Sequence, residues 1–364
     1  MNAQAIQPYT LLDDKDCESR ILRAREELGD RLVILGHHYQ RDEVFQHADF
    51  TGDSLKLSRQ AASSKADYIV FCGVHFMAEV ADILSRPEQV SILPDMSAGC
   101  SMADMANLND VERAWQELSE VLDPDESITP VTYINSAADL KAFCGRHGGI
   151  VCTSTNAKNV LDWCFERREK VLFFPDQHLG RNTAFTMGIP LDEMVVWDFD
   201  KPMGGLSVEQ IRNARMILWK GFCSVHQMFQ PEQIDNFKQK YPETLVISHP
   251  ESPFEVCQKS DYIGSTEYII NTIADAEPGT RWLVATELNL VNRLHEQYKH
   301  EGKNVHFMSP NVCMCSTMFR IDPQHLAWVL ENLVEGHIVN QISVPAEVAA
   351  QAKSALDRML DVSP

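Results

Sequence analysis

Short apolar runs alternate along this chain with segments of helical spacing, and most of the runs stop abruptly at polar residues. The first run is LVIL at 32–35, followed by Gly36, His37, His38 and Tyr39. A short continuous apolar run of this kind predicts a buried strand. The segment before it places Ile21, Leu22, Ala24 and Leu28 at helical spacing, with Gly29 as the stop. After it the pattern predicts a helix beginning near Asp53 or Ser54, a strand over 68–72, a helix over 77–84 and a strand in QVSILPD at 89–95. Cys100 follows that last strand.

The same order returns twice. A helix in NDVERAWQEL precedes ITPVTYINS, a strand ending at Tyr133, Ile134 and Asn135. GGIVCTSTNA then ends at Thr153, Ser154 and Thr155, and KVLFFPDQHLGR leads through an insertion of about 182–219 to Cys223. The third pass runs from PEQIDNFKQKYP through TLVISHPES, ending at His249, Pro250 and Glu251. It continues through DYIGSTEY, with Ser265 and Thr266, and TRWLVATE to Cys315. His37 lies 63 residues before Cys100 and His249 lies 66 before Cys315; Tyr133 lies 90 before Cys223, the excess matching the insertion.

A recurring period predicts a repeated architecture, and strands alternating with helices predict parallel sheets covered by helices. The expected fold is α/β: three pseudo-repeated three-layer α/β/α domains with short parallel sheets around a central active site. The repeats are assigned to 14–104, 105–226 and 227–322, with C-terminal packing helices over 323–364. The apolar stripe in PAEVAAQAKSALDRML is expected to tie the last repeat to the first. In such units the polar residues just past each strand face a common site.

Composition narrows the chemistry. The formal net charge of −20 excludes a nucleic-acid partner, which needs a basic surface. The first residues show neither the positive start nor the apolar core of a signal peptide, and no apolar run is long enough to span a bilayer. A cytoplasmic, reducing location is expected, with no membrane partner, so the ten cysteines read as ligands, catalysts or core filler rather than disulfides. Cys72, Cys144, Cys152, Cys164 and Cys257 lie on strand or helix patterns and read as filler, and Cys17 reads as exposed. Cys100, Cys223 and Cys315 are each followed by Ser and sit in loops at equivalent places of the three passes. These three read as metal ligands, with Cys313 as the alternative third. Three thiolates suit zinc or iron–sulfur; paired CxxC spacings typical of structural zinc are absent, and a [4Fe–4S] cluster held at three corners leaves one iron open.

The motifs GHHYQ at 36–40, GDSL at 52–55, YIN at 133–135, TS at 153–154, PDQHLG at 175–180, HPES at 249–252, GST at 264–266 and ATE at 285–287, with the three cysteine loops, resemble the quinolinate synthase family. The resemblance runs from about Leu32 to about Leu330. It implies a [4Fe–4S] cluster with three Cys ligands, one per repeat. It implies condensation of iminosuccinate with dihydroxyacetone phosphate to quinolinate, with loss of phosphate and water, in de novo NAD biosynthesis. The family positions matching His37, Ser54, Tyr133, Asn135, Ser154, His249, Glu251 and Thr266 contact substrate, with Ile134 and Pro250 inside the same motifs. Coupling to an L-aspartate oxidase and a monomeric or homodimeric state go with this reading. Some relatives carry CxxCxxC where this chain has CMC; the following helix and the Cys-Ser repeat favour Cys315 over Cys313.

Ser54, Ser154 and Thr266 stand near helix starts, suited to carboxylate or phosphate oxygens; ordinary capping is the alternative. Glu251 is assigned as general base, with a carboxyl expected to titrate above its usual range in a closed anionic site. Tyr39, Tyr133 and His249 are assigned to proton relay or to holding substrate oxygens, with Asn135 orienting the ketone. Two rival readings stay open: a zinc-dependent hydrolase or lyase, and a non-catalytic Fe–S sensor.

Overall fold

The computed structural model describes residues 3–311 and 314–363. The chain forms two compact units, one of Met1–Cys100 with Met314–Pro345 and one of Ser101–Cys313 with Ala346–Pro364. The first holds one sheet and the second holds two.

In the first unit β1 (Leu32–His37), β2 (Phe50–Gly52), β3 (Tyr68–Cys72) and β4 (Val90–Ile92) are parallel, in the order β2-β1-β3-β4. In the second unit one sheet is built from β5 (Ile128–Tyr133), β6 (Ile150–Cys152), β7 (Lys170–Phe174), β8 (Met194–Trp197) and β9 (Met216–Trp219), in the order β6-β5-β7-β9-β8. The other is built from β10 (Leu245–Ser248), β11 (Tyr262–Ile263), β12 (Arg281–Ala285) and β13 (Asn304–Phe307), in the order β11-β10-β12-β13. Finally β14 (Gln341–Ile342) pairs antiparallel with β4.

All three sheets therefore repeat one strand order: second, first, third, fourth. The α/β expectation holds, but each repeat has four core strands rather than three. The additional strands are β2, β9 and β13, of which the apolar pattern does not reveal β2 and β13. β2 and β13 are edge strands; β2 has three residues with Phe50 exposed, and only Val305 is buried in β13. The central strands β1, β5 and β7 are buried throughout, which is why their apolar runs are legible. Within the 182–219 stretch, β9 is the fourth strand of its sheet and β8 an added edge. The turn leading out of β8 has positive φ at Met203, Gly204 and Gly205, and a Cβ on Gly204 would lie 2.4 Å from the Trp197 ring.

The helices cover these sheets by ordinary means. Asp14–Leu28 is capped by Asp13, whose carboxylate accepts the Asp16 N–H at 2.8 Å, and it buries Cys17, Ile21, Ala24 and Leu28. Cys17 is thus core, not exposed: it sits on the stripe that packs against the helix Pro323–Val334. The helix Ala346–Asp361 packs on the helix Ala138–Arg146 and on β6, so it covers the second sheet rather than joining the last repeat to the first.

Candidate active site

Strand tips at corresponding positions carry the polar residues. His37 ends β1, Tyr133 ends β5 and His249 follows β10. The first and third tips share one turn. The His37 Nδ1 accepts the Tyr39 N–H at 3.1 Å, and the His249 Nδ1 accepts the Glu251 N–H at 3.3 Å. The carbonyls of His37 and His249 accept the Gln40 and Ser252 N–H groups, each at 3.0 Å. An imidazole that accepts at Nδ1 carries its proton at Nε2, so both histidines are set as Nε2 donors.

The second strands end beside the hydroxyls. Ser54 and Thr266 are the first residues of helices capped by Asp53 and Ser265, and Ser154 precedes the helix that starts after Asn156. None of the three is itself the cap. The Thr266 Oγ1 and the Asn135 Oδ1 are buried atoms without a hydrogen-bond partner among the described residues.

In the second unit Tyr133, His249 and Glu251 meet in one buried cluster. The Tyr133 hydroxyl donates to Glu251 Oε1 at 2.5 Å, and His226 Nδ1 lies 2.8 Å from Oε2. The other nitrogen of His226 is 3.3 Å from the Thr286 hydroxyl, and its ring stacks on His249 with centroids 4.6 Å apart. Burial alone would push the Glu251 carboxyl up. The neighbouring imidazoles of His249 and His226 and the hydrogen bonds from His226 and Tyr133 oppose that push and draw the carboxyl below its ordinary value; with His249 neutral, His226 and Tyr133 do so through their hydrogen bonds. The expectation of a raised Glu251 is therefore corrected: the carboxyl is drawn down, with a hydrogen-bond partner on each oxygen. Burial lowers His249 to about 3, so it is neutral near pH 7.

His226 and Asp176 were missed by sequence reasoning. His226 lies three residues after Cys223, but its counterparts after Cys100 and Cys315 are Ala103 and Met318, so no repeat marks it. Asp176 sits inside PDQHLG, caps the helix Gln177–Thr186 through the Leu179 N–H at 2.6 Å, and also accepts the backbone N–H of Cys223. Burial, then the charge of Glu251, push its carboxyl well above the usual range.

The three cysteines open one local structure. Cys100, Cys223 and Cys315 are each followed by a two-residue turn and a 3-10 turn, at Ala103–Met105, His226–Met228 and Met318–Arg320. Two extended residues later a helix starts, at Leu108, Pro231 and Pro323. Asn107 and Asp322 cap two of these helices, and the Gln230 N–H donates to Gln233 at the third. In the first unit, Arg320 donates to Ser97 Oγ at 2.6 Å and lies 3.4 Å from Asp95, tying the loop of Cys315 to that of Cys100.

A profile of the family described as Quinolinate synthetase A protein matches residues 19–361. The quinolinate synthase of Acidobacterium capsulatum is 55% identical, over 99% of this chain and 97% of its own. That of Rhodopirellula baltica is 56% identical, over 98% and 93%. That of Corynebacterium glutamicum is 54% identical, over 98% and 90%. The chain belongs to the quinolinate synthase family. As a member of that family it is an enzyme.

The cysteines fit the iron–sulfur chemistry of the quinolinate synthase family. Cys100, Cys223 and Cys315 are partly exposed, whereas Cys17, Cys72, Cys144, Cys152, Cys164 and Cys257 are buried. Three equivalent, accessible, soft thiol donors are what a cluster with one open corner needs. Cys313, the alternative third ligand, lies outside the described residues. Cys223, His226 and Glu251 also offer ligand atoms within 4.8 Å of one another; the latter two are hydrogen-bonded together. Among the described residues, no helix is long and apolar enough to cross a membrane.

Proposed function

We propose that the chain condenses iminosuccinate with dihydroxyacetone phosphate to quinolinate, releasing one phosphate and two waters, within de novo NAD biosynthesis. The support is the family membership together with the Tyr133–Glu251–His226 cluster, a carboxylate just past one strand held between the tyrosine at another strand's tip and the histidine of the turn after Cys223. The cluster ligands are Cys100, Cys223 and Cys315. When bound, a [4Fe–4S] cluster held this way supplies an open iron as Lewis acid for carboxylate or hydroxyl oxygens.

The protein's own groups divide the remaining work. Glu251, ionised, takes the proton adjacent to the imine. Tyr133 and His226 hold its two oxygens and pass the proton on, with the Thr286 hydroxyl at the far side of His226. Neutral His249 and His37 present Nε2 protons to substrate oxygens. Ser54, Ser154 and Thr266 receive carboxylate or phosphate oxygens at helix starts, and Asn135 and Tyr39 orient the ketone. Ile134 and Pro250 shape the strand tips between these groups. The repeat boundaries at 14–104, 105–226 and 227–322, the cytoplasmic location and coupling to an L-aspartate oxidase belong to the same reading.

Anaerobic assay with iminosuccinate and dihydroxyacetone phosphate tests it, with quinolinate as the product scored. Glu251→Gln is expected to keep the iron and lose roughly 10²-fold or more of turnover. A near-normal rate would remove Glu251 from the base role. Colourless protein containing zinc in place of iron would favour the hydrolase alternative.

A further inference from the structure

Glu251 is held by more than its catalytic neighbours. It sits in the turn His249–Pro250–Glu251–Ser252, and that turn has few backbone bonds of its own. Pro250 has no N–H to give. The Glu251 N–H goes to the His249 ring, and the Ser252 N–H goes to the His249 carbonyl. The carbonyls on either side of Glu251 are met from outside by one side chain. Asn182 Nδ2 donates to the Pro250 carbonyl at 2.8 Å and to the Ser252 carbonyl at 2.9 Å, and lies 3.2 Å from the Cys257 sulfur. Asn182 is 2% exposed and stands on the helix Gln177–Thr186, in a stretch to which no motif assigns a role.

The two amide hydrogens thus bracket the base, one on the Pro250–Glu251 peptide before it and one on the Ser252–Pro253 peptide a residue beyond it. Both partners are acceptors, which fixes the orientation of the amide. Glu251 in turn makes two short directional bonds, to Tyr133 and His226. A movement of about 1 Å breaks such an arrangement and can cost about 100-fold in rate.

We propose that Asn182 is the positioning residue for the general base: its amide clamps the carbonyls of Pro250 and Ser252, the residues before and after Glu251, and so sets the carboxylate between Tyr133 and His226. This rests on the reading of Glu251 as the base. Asn182 touches no substrate and acts through the turn.

The test compares Asn182→Asp, Asn182→Ala and Asn182→Ser in the anaerobically purified, iron-loaded protein. Asp keeps the volume but turns an oxygen toward two carbonyl oxygens, so it is expected to be at least as damaging as Ala. Both should lose about 10- to 100-fold in kcat with a much smaller change in KM. Ser keeps one donor and should fall between them and the parent. Hydrogen exchange gives a readout independent of turnover: the Glu251 and Ser252 amides should exchange faster, with β10 and β12 protected as before. An Asp variant with parental kcat would show that only volume matters and overturn the proposal. So would faster exchange spread evenly over β10–β13, which marks general destabilisation. If Asp and Ala fail to fold, Ser decides alone, by the same two readouts. A parent that makes no quinolinate would count against the reaction itself, while the exchange pattern still reports on the clamp.

Discussion

His178 shows how one buried side chain writes a pH dependence into the protein. Its Nε2 lies 2.8 Å from the Gln227 oxygen, and burial lowers it from 6.5 to about 4. The unfolded chain therefore takes up this proton first. The contribution to stability is full above pH 6.5 and is lost as the pH falls from 6.5 toward 4. Replacing His178 by Gln removes the titration and keeps a partner for Gln227. Between pH 7 and pH 5 the parent should lose about 2 kcal/mol more than the variant, measured by urea unfolding at each pH. The state of Glu251 could not be reached from the sequence for a related reason. Its charge is set by Tyr133, 118 residues away, and by His226, 25 residues away. An isolated HPES motif suggests only a buried acid, which by itself would titrate high.

At the scale of elements, the tips were legible and the edges were not. β1, β5 and β10 announce themselves as apolar runs that end in His37, Tyr133 and His249, because their residues are almost entirely buried. β2 and β13 complete the repeat but bury little, so periodicity passes over them. The cysteine loops were legible as a Cys-Ser dipeptide, and the structure gives that dipeptide a reason: each opens the same turn, 3-10 turn and helix. Replacing Cys100, Cys223 or Cys315 singly by Ala should each abolish iron incorporation, while Cys144→Ala or Cys313→Ala should retain it, as read by iron analysis and visible absorbance. Helix contact is equally specific. A Cβ on Gly145 would come 2.0 Å from the Gln351 carbonyl oxygen, a backbone atom that yields only if the helix Ala346–Asp361 moves. Gly145→Ala is expected to cost about 1–3 kcal/mol, seen as a lower urea midpoint.

At the scale of the whole molecule, charge opposes the substrates. The proposed substrates, iminosuccinate and dihydroxyacetone phosphate, are anions, and the chain carries a net −20. Long-range repulsion should slow their approach, and salt should relieve it. Raising ionic strength from about 0.02 M to about 0.2 M is expected to increase kcat/KM while kcat changes little. A decrease would mean that the local donors dominate the field felt on approach. The order of the chain has a further result for biosynthesis. The first unit draws its helix Pro323–Val334 and its edge strand β14 from residues made long after its sheet, and the second takes the helix Ala346–Asp361 later still. A ribosome that has delivered all three cysteines has not yet completed either unit, so the nascent protein must shelter its bare apolar faces until the helices that cover them have emerged.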